Sequence, residues 1–235
     1  MNSNVVYGNA PIIEALGQIN FQISDGGWPK VEAWAAEQSA ETVEDIFQVQ
    51  IPALGEPTKK VFGKRLLFPK QQLSIQATRD FLAVSQTGGY EDWSAFFGKL
   101  RSFFDTFMNA CDVSNISRSA LRYINQFEFD AAESPALYLS QLSPKTLGKD
   151  FEGRITTLAS TYNIARSSVE AVIQQSLELR PSASKWVVTM DIDVFMNKPI
   201  KADIIDLGLE LETLRKYKNQ IFESLLTEGC RERFR

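Results

Sequence analysis

The sequence predicts an α+β fold in which antiparallel strands form a sheet or sheets and the helices pack on one face. This prediction depends on strand-like segments joined by short turns, on two long amphipathic helices, and on a weak internal repeat. The repeat is the pattern Ala-Leu-x-x-Ile-Asn, which occurs at 15–20 and again at 120–125. Each copy opens a similar order of elements. We therefore predict a duplicated strand–helix–strands–helix unit, with α+β halves at 1–113 and 114–235 that pack together as one globular body.

The first half begins with a strand from Pro11 to Ser24, where apolar and polar residues alternate. The elements predicted after it are a helix at 28–40, strands at 46–52, 59–68, 71–78 and 81–87, and a long helix at 93–111. Glycine and proline in the short connections favour antiparallel pairing. The long helix repeats aromatic residues at steps of three and four, so a broad aromatic face should lie across the sheet. Each fully buried aromatic side chain there contributes about 2 kcal/mol.

The second half follows a similar order. The predicted elements are a strand at 116–129, a short helix or irregular segment at 134–142, a hairpin or partly helical stretch at 151–163 and 168–179, a strand at 185–196 and a helix at 206–228. The apolar stripe of the last helix consists of Leu207, Leu211, Leu214, Tyr217, Ile221, Phe222, Leu225 and Leu226. Both long helices end near a cysteine, Cys111 in the first half and Cys230 in the second.

Composition limits the chemistry that this chain can perform. Its 235 residues are 44% hydrophobic and carry a net charge of −4, which argues against a general nucleic-acid binder. The chain has no histidine and two cysteines, so a Ser-His-Asp triad, a Cys-His pair and a four-thiolate zinc site from one chain are excluded. We find no signal segment and no apolar run long enough to span a bilayer, and we expect a cytoplasmic protein without a membrane partner.

Asp191 and Asp193 are the candidate metal ligands. They stand two residues apart on a predicted strand, so both carboxylates point to one face of the sheet. Oxygen ligands of this kind can hold Mg²⁺, and we expect no cofactor unless this pair of carboxylates binds Mg²⁺. The alternative is a polar sheet face on which these carboxylates pair with Arg or Lys from neighbouring strands.

Arg122, Tyr123 and Asn125 are the candidate residues for binding an anion or another ligand. Arg122 lies on the face of its strand opposite Tyr123 and Asn125, because side chains alternate along a strand. A ligand carboxylate or phosphate is the functional interpretation of this arginine. The structural alternative is an ion pair with Asp191 or Asp193, since a buried charge without a partner is costly.

Lys59, Lys60, Lys64 and Arg65 form a candidate basic hairpin for partner binding, with few acidic residues nearby in the sequence. A solvated sheet edge protected by positive charge is the structural interpretation. An anionic partner is the functional one, and nucleic-acid phosphates would bind here if the chain bound nucleic acid.

Three segments resemble the signatures of a sporadically distributed family of uncharacterised bacterial and archaeal proteins. They are 7–14 (YGNAPIIE), 118–125 (RSALRYIN) and 191–193 (DID), the last followed by the helix that contains Phe222 and Thr227. The resemblance implies a common length and fold, and it carries no activity. The element order also resembles the TATA-binding-protein-like and helix-grip folds, which include both binders and enzymes.

We expect a non-catalytic binding module that contacts another macromolecule, a protein before a nucleic acid, through its sheet or its basic hairpin. The resemblance implies a role in an accessory system such as a defence or toxin-control operon. The alternative is a protein that binds a small molecule or nucleotide phosphate, or a Mg²⁺-dependent enzyme that uses Asp191 and Asp193.

Overall fold

A computed structural model describes residues 7–23, 25–50, 57–139 and 156–235, and in these ranges the fold is α+β, with a large antiparallel sheet and four α-helices. The strands are β1 (Ile12–Phe21), β2 (Thr42–Gln50), β3 (Thr58–Phe68), β4 (Leu73–Thr78), β5 (Phe81–Thr87), β6 (Asn115–Asp130), β7 (Thr157–Arg166), β8 (Val169–Arg180), β9 (Lys185–Met196) and β10 (Ile200–Lys201). The helices are α1 (Trp28–Glu37), α2 (Trp93–Ala110), α3 (Ile204–Leu225) and α4 (Glu228–Phe234). The predicted α+β class is confirmed.

The chain forms two compact units. The first unit comprises Glu14–Ala120 and Met196–Glu212, and the second comprises the chain up to Ile13, Leu121–Phe195 and Thr213–Arg235. Each unit therefore contains residues from both of the halves that the sequence predicts. The boundaries between the units fall within β1, β6, β9 and α3, because these long elements continue from one unit into the other.

The first unit contains the predicted meander, with the strand order β2-β3-β4-β5-β1 and antiparallel pairing throughout. A short 3₁₀ turn at Pro69–Gln71 joins β3 to β4, and Gln72 ends it with a φ of 51°. The Thr78 hydroxyl accepts a hydrogen bond from the Phe81 amide, which closes the turn between β4 and β5. Short connections thus impose antiparallel pairing, as predicted.

The helices of the first unit lie on one face of its sheet, here called the helix face; the other is the open face. A Cβ atom on Gly17 would lie 2.7 Å from the methyl carbons of Leu100, so α2 approaches β1 closely because this residue is glycine. Phe107 of α2 contacts Phe21 of β1 and Trp34 of α1, with ring centroids 5.1 and 5.0 Å apart. The aromatic face of α2 therefore lies across the sheet, as the sequence predicts.

The second unit contains the strands β6, β9, β8 and β7 in that order, with antiparallel registers from β9 to β7. Its helix face carries Tyr123, over which Lys218 of α3 lies, and Phe127, which contacts Phe234 of α4 at 5.3 Å between ring centroids. Arg122 and Ile124 alternate with these residues and lie on its open face.

The C-terminal helix is shorter than predicted. It ends at Leu225, and Cys230 belongs to the separate helix α4. Thr227 begins α4, because its hydroxyl accepts a hydrogen bond from the Cys230 amide at 3.3 Å. The predicted helical or irregular segment at 134–142 contains a 3₁₀ turn at Pro135–Leu137, and its residues from 140 lie outside the described chain, as does the start of the predicted strand at 151–163.

The two copies of the repeated pattern lie in β1 and β6, but on different faces. Ile19 is buried on the helix face of β1, whereas Ile124 lies on the open face of β6. Because strand side chains alternate with a period of two, a shift of one residue exchanges the faces. The matched residues are therefore not structurally equivalent, and the duplication stays a prediction.

No helix within the described ranges is long and apolar enough to cross a membrane.

Candidate functional site

The carboxylates of Asp191 and Asp193 lie on the open face of β9, and Asp191 is bound by Arg122. The Nε atom of Arg122 donates to Oδ1 of Asp191 at 2.8 Å, and Nη2 donates to Oδ2 at 2.5 Å. Both carboxylate oxygens thus accept hydrogen bonds from one guanidinium, which is the strongest geometry for this pair. Among the described residues, no group of three or more His, Cys, Asp or Glu side chains could hold a metal ion.

The structure separates Arg122 from Tyr123 and Asn125. Arg122 lies beside Asp191 on the open face, whereas the other two are buried on the helix face. The Asn125 side-chain amide donates to the Met190 carbonyl at 3.3 Å. Asn125 therefore links β6 to β9 inside the core, and the three residues do not form one ligand site.

Lys218 is a buried lysine that the sequence analysis missed. Its Nζ atom lies 3.9 Å from the centroid of the Tyr123 ring, in a core formed by apolar residues of α3 and β6. The pKa of Lys218 is lowered to about 7, mainly by burial and also by the nearby Arg215, while Glu223 partly opposes the shift. The sequence does indicate its burial, because Lys218 lies four residues after Leu214 and three before Ile221 in the apolar stripe of α3. The sequence analysis places Tyr217 in this stripe instead.

A polar row crosses the sheet of the second unit next to Asn125. Gln175 lies opposite Met190 in the register of β8 and β9, and Ser160 lies opposite Gln175 in the register of β7 and β8. Within the described part of the chain, Oε1 of the buried Gln175 and Oγ of Ser160 have no hydrogen-bond partner. The helix side of this sheet is therefore more polar than an ordinary protein core.

The open face of the same unit carries a depression of about 340 Å³. Its lining is mainly hydroxyl, amide and carboxylate side chains, among them Thr161, Gln174, Ser176, Thr189 and Asp191. Hydrogen-bonding groups of this kind suit a polar ligand better than an apolar one.

The four cations of the predicted basic hairpin do not form a continuous patch. Lys64 lies on the helix face, where its ammonium contacts Asp45 at 2.7 Å and Glu32 of α1 at 3.5 Å. Arg65 points to the open face and lies opposite Glu44 of β2. The sequence analysis missed the acids of β2, because they lie far from Lys64 and Arg65 along the chain but directly opposite them in the sheet.

Lys59 and Lys60 also alternate between the two faces. The Lys59 ammonium lies 3.8 Å from the centroid of the Phe47 ring, and Lys60 lies opposite Gln48. Positive charge is thus divided between two faces and partly paired, which suits a stabilised sheet edge better than a binding site for phosphates.

An apolar groove of about 320 Å³ lies between α2 and the start of α3, within the first unit. It is lined by Phe97, Ile204, Ile205, Gly208 and Leu209, with Arg101 and Glu212 as its charged residues, and we call it the helical groove. Ile205 and Leu209 are 68% and 67% exposed, the highest values among the large hydrophobic residues described. They lie four residues apart and so share one side of α3.

Both thiols are buried and protonated at neutral pH. Burial raises the pKa of Cys111 to about 11 and that of Cys230 to about 12. Since the thiolate is the reactive form, neither cysteine suits nucleophilic catalysis.

Residues of the segments 7–14, 118–125 and 191–193, and Thr227, make structural contacts. The Tyr7 hydroxyl donates to Glu223 at 2.8 Å, and Arg231 donates to the other oxygen of the same carboxylate at 3.0 Å. Arg122 and Asp191 join β6 to β9, and Thr227 caps α4. The fold thus accounts for these residues without assigning them any chemistry.

No protein-family model, curated protein or solved structure matches this chain.

Proposed function

We propose that this protein is a non-catalytic, cytoplasmic binding module whose partner is another protein, held in the helical groove. The observation that carries the proposal is the exposure of Ile205 and Leu209 on one side of α3, next to Phe97 of α2. Large apolar residues that cluster at a surface and are bordered by polar ones are typical of protein interaction sites.

The groove offers a large gain on binding. Burying a fully exposed Leu or Ile side chain contributes about 1.5 to 3 kcal/mol, and two-thirds of each of these side chains is available. The chemistry of the partner follows from the lining: an amphipathic helix whose apolar side enters the groove, with an acidic residue near Arg101.

Several features support a module without catalysis. The chain has no histidine, and both cysteines carry raised pKa values that keep them protonated. Both oxygens of Asp191 accept hydrogen bonds from Arg122. A general acid or base at neutral pH would have to come from the remaining carboxylates, lysines or tyrosines.

The wider role and the finer fold also remain proposals. The resemblance of segments 7–14, 118–125 and 191–193 supports an accessory component of a defence or toxin-control system. The order strand–helix–four strands–helix in β1 to α2 supports a TATA-binding-protein-like or helix-grip-like unit.

Photocrosslinking in the native host tests the groove. A p-benzoylphenylalanine residue at position 209 should give one defined protein adduct, whereas the same residue at Lys216, an exposed position on the same helix, should not. With the partner identified and purified, Ile205→Asp and Leu209→Asp should each weaken binding by about ten-fold or more, which is about 1.4 kcal/mol. Equal adducts from both positions, or unchanged affinity in both variants, would falsify the proposal.

The alternative function, a protein that binds a small molecule or nucleotide phosphate or a Mg²⁺-dependent enzyme that uses Asp191 and Asp193, has its own test. Calorimetric titration with MgCl₂ and with inorganic phosphate should give heat for the wild type and none for Asp191→Asn if this alternative is correct. Titrations without heat would remove it.

A further inference from the structure

Strand β2 is an edge strand with an unusual amount of exposed apolar surface. It stands at the end of the strand order, and in the described chain it pairs with β3 alone. Val43, Phe47 and Val49 are 47%, 45% and 58% exposed. Edge strands of natural proteins normally carry charge, proline or a covering element, because an open apolar edge recruits another strand.

The three apolar side chains lie on one face of β2. They occupy odd positions, and side chains alternate along a strand. Val43 lies opposite Leu66 of β3, a buried residue of the helix face, so this is the side on which α1 and α2 pack. The helices leave this outer strand exposed, and Asp45, which pairs with Lys64 at 2.7 Å, lies on the same face between Val43 and Phe47.

The sequence of β2 is complementary to itself when two copies run antiparallel. Thr42–Gln50 has Ile46 at its centre, so a two-fold axis at Ile46 gives every residue of the strand a partner. Val43 of one copy then lies opposite Val49 of the other, and Glu44 lies opposite Gln48. An axis at Asp45 would instead place two aspartates directly opposite each other, which is unfavourable for like charges.

Charged residues of β3, the strand next to β2, support the same two-fold axis. Lys60 of β3 lies opposite Gln48, and therefore in line with Glu44 of the second copy. Strands are about 4.8 Å apart, so the long lysine side chain reaches towards that carboxylate across a single intervening strand. Two such contacts form, one on each side of the axis.

We propose that two copies of this chain associate through β2, antiparallel about a two-fold axis at Ile46, so that their sheets join edge to edge. The main-chain groups of the free edges supply the hydrogen bonds, and the Val43–Val49 pairs join the two apolar strips. The inference is independent of the helical groove, which lies on α2 and α3.

Two double variants with substitutions at the same two positions test this register. Val43→Lys with Val49→Lys places lysine opposite lysine at both ends of the paired strands, and Val43→Lys with Val49→Glu places lysine opposite glutamate. Sedimentation equilibrium of the full chain should give a dimer for the wild type, a dimer constant weakened by about ten-fold or more for the Lys/Lys variant, and one within about three-fold of wild type for the Lys/Glu variant.

The substituted side chains are exposed, so both variants should keep the circular dichroism spectrum and melting temperature of the monomer. Leu209→Asp, in the helical groove, should leave the dimer constant unchanged, which separates this proposal from the proposed function. A wild type that stays monomeric, or equal losses in the Lys/Lys and Lys/Glu variants, overturns the β2 interface.

Discussion

The two units have the same kind of architecture but different cores. In the first unit, the region beneath α1 and α2 is aromatic. The buried Ser119 of this unit donates a hydrogen bond to Glu210 of α3 at 2.6 Å. In the second unit, the polar side chains of Asn125, Gln175 and Lys218 are buried. Lys218 is the one charged side chain in the described ranges that is more than nine-tenths buried. Two units with the same layered architecture can thus have cores of different polarity. We expect the stability of the second unit to depend on pH.

Removing an aromatic side chain from the first core should have the largest effect. Phe107→Ala deletes the ring that contacts Phe21 and Trp34, and the cavity left behind should lower the free energy of unfolding by about 3 to 5 kcal/mol. Urea unfolding monitored by circular dichroism measures this loss.

Phe97→Ala is the matched control, because Phe97 lies on the same helix but lines the helical groove, where its ring is only partly buried. Phe97→Ala should lower the free energy of unfolding clearly less than Phe107→Ala does. Similar losses in the two variants would mean that the first core does not depend on the contacts around Phe107.

Replacing Lys218 should have the next largest effect, with the opposite sign. The pKa of Lys218 is about 7 in the folded protein and about 10.4 in an unfolded chain, so the unfolded chain binds more protons between these values. Stability should therefore rise with pH above about 7, by about 1.4 kcal/mol per pH unit. Lys218→Met should abolish this rise and stabilise the protein at neutral pH, because a neutral side chain replaces a lysine whose charged form is disfavoured by burial.

The two thiols limit the range of pH in which this test is clear. The pKa values of Cys111 and Cys230 are raised in the folded state, so their contribution to stability is lost as pH rises above the unfolded value of about 8.5. Urea unfolding should consequently be compared between about pH 7 and pH 8.5. A wild type with a flat profile in this range, or a Lys218→Met variant with the same slope, contradicts the prediction.

Local patterns predicted much of the fold. The alternation of apolar and polar residues predicted β1, and apolar residues at steps of three and four predicted α2, because each of these periods can be recognised within a single segment. The break between α3 and α4 was missed, since it depends on the Thr227 hydroxyl capping the next helix. The repeat at 15–20 and 120–125 shows a related difficulty: identities along the chain do not reveal which face of a sheet each residue occupies, so the duplication stays a prediction.

The candidate sites were harder to predict, because they depend on contacts between distant segments. The pair of Arg122 with Asp191 was one of two alternatives, and the choice required the neighbourhood of β6 and β9. The sequence indicates that Lys64 is an unpaired cation, whereas the register of β2 and β3 places Asp45 directly opposite it. The helical groove brings together residues about 110 positions apart in the sequence, and no local pattern indicates that α3 leaves Ile205 and Leu209 exposed.

The smallest predicted effects compare one ion pair from each unit. Asp191 accepts two hydrogen bonds from Arg122 and is largely buried, whereas Asp45 accepts one from Lys64 at the more exposed edge strand. Asp191→Asn should lower the free energy of unfolding by about 1 to 2 kcal/mol, because a bidentate, partly desolvated pair is lost. Asp45→Asn should lower the free energy of unfolding by less than about 1 kcal/mol.

Salt separates the two cases further. Charges that face solvent are screened within about 3 Å at 1 M salt, whereas partly buried pairs are screened much less. Repeating the urea unfolding in about 1 M NaCl should thus remove most of the Asp45→Asn effect and leave most of the Asp191→Asn effect. If salt removed both effects equally, the Arg122–Asp191 pair would behave as an ordinary surface contact, and the open face of the second unit would be solvated like the edge strand of the first.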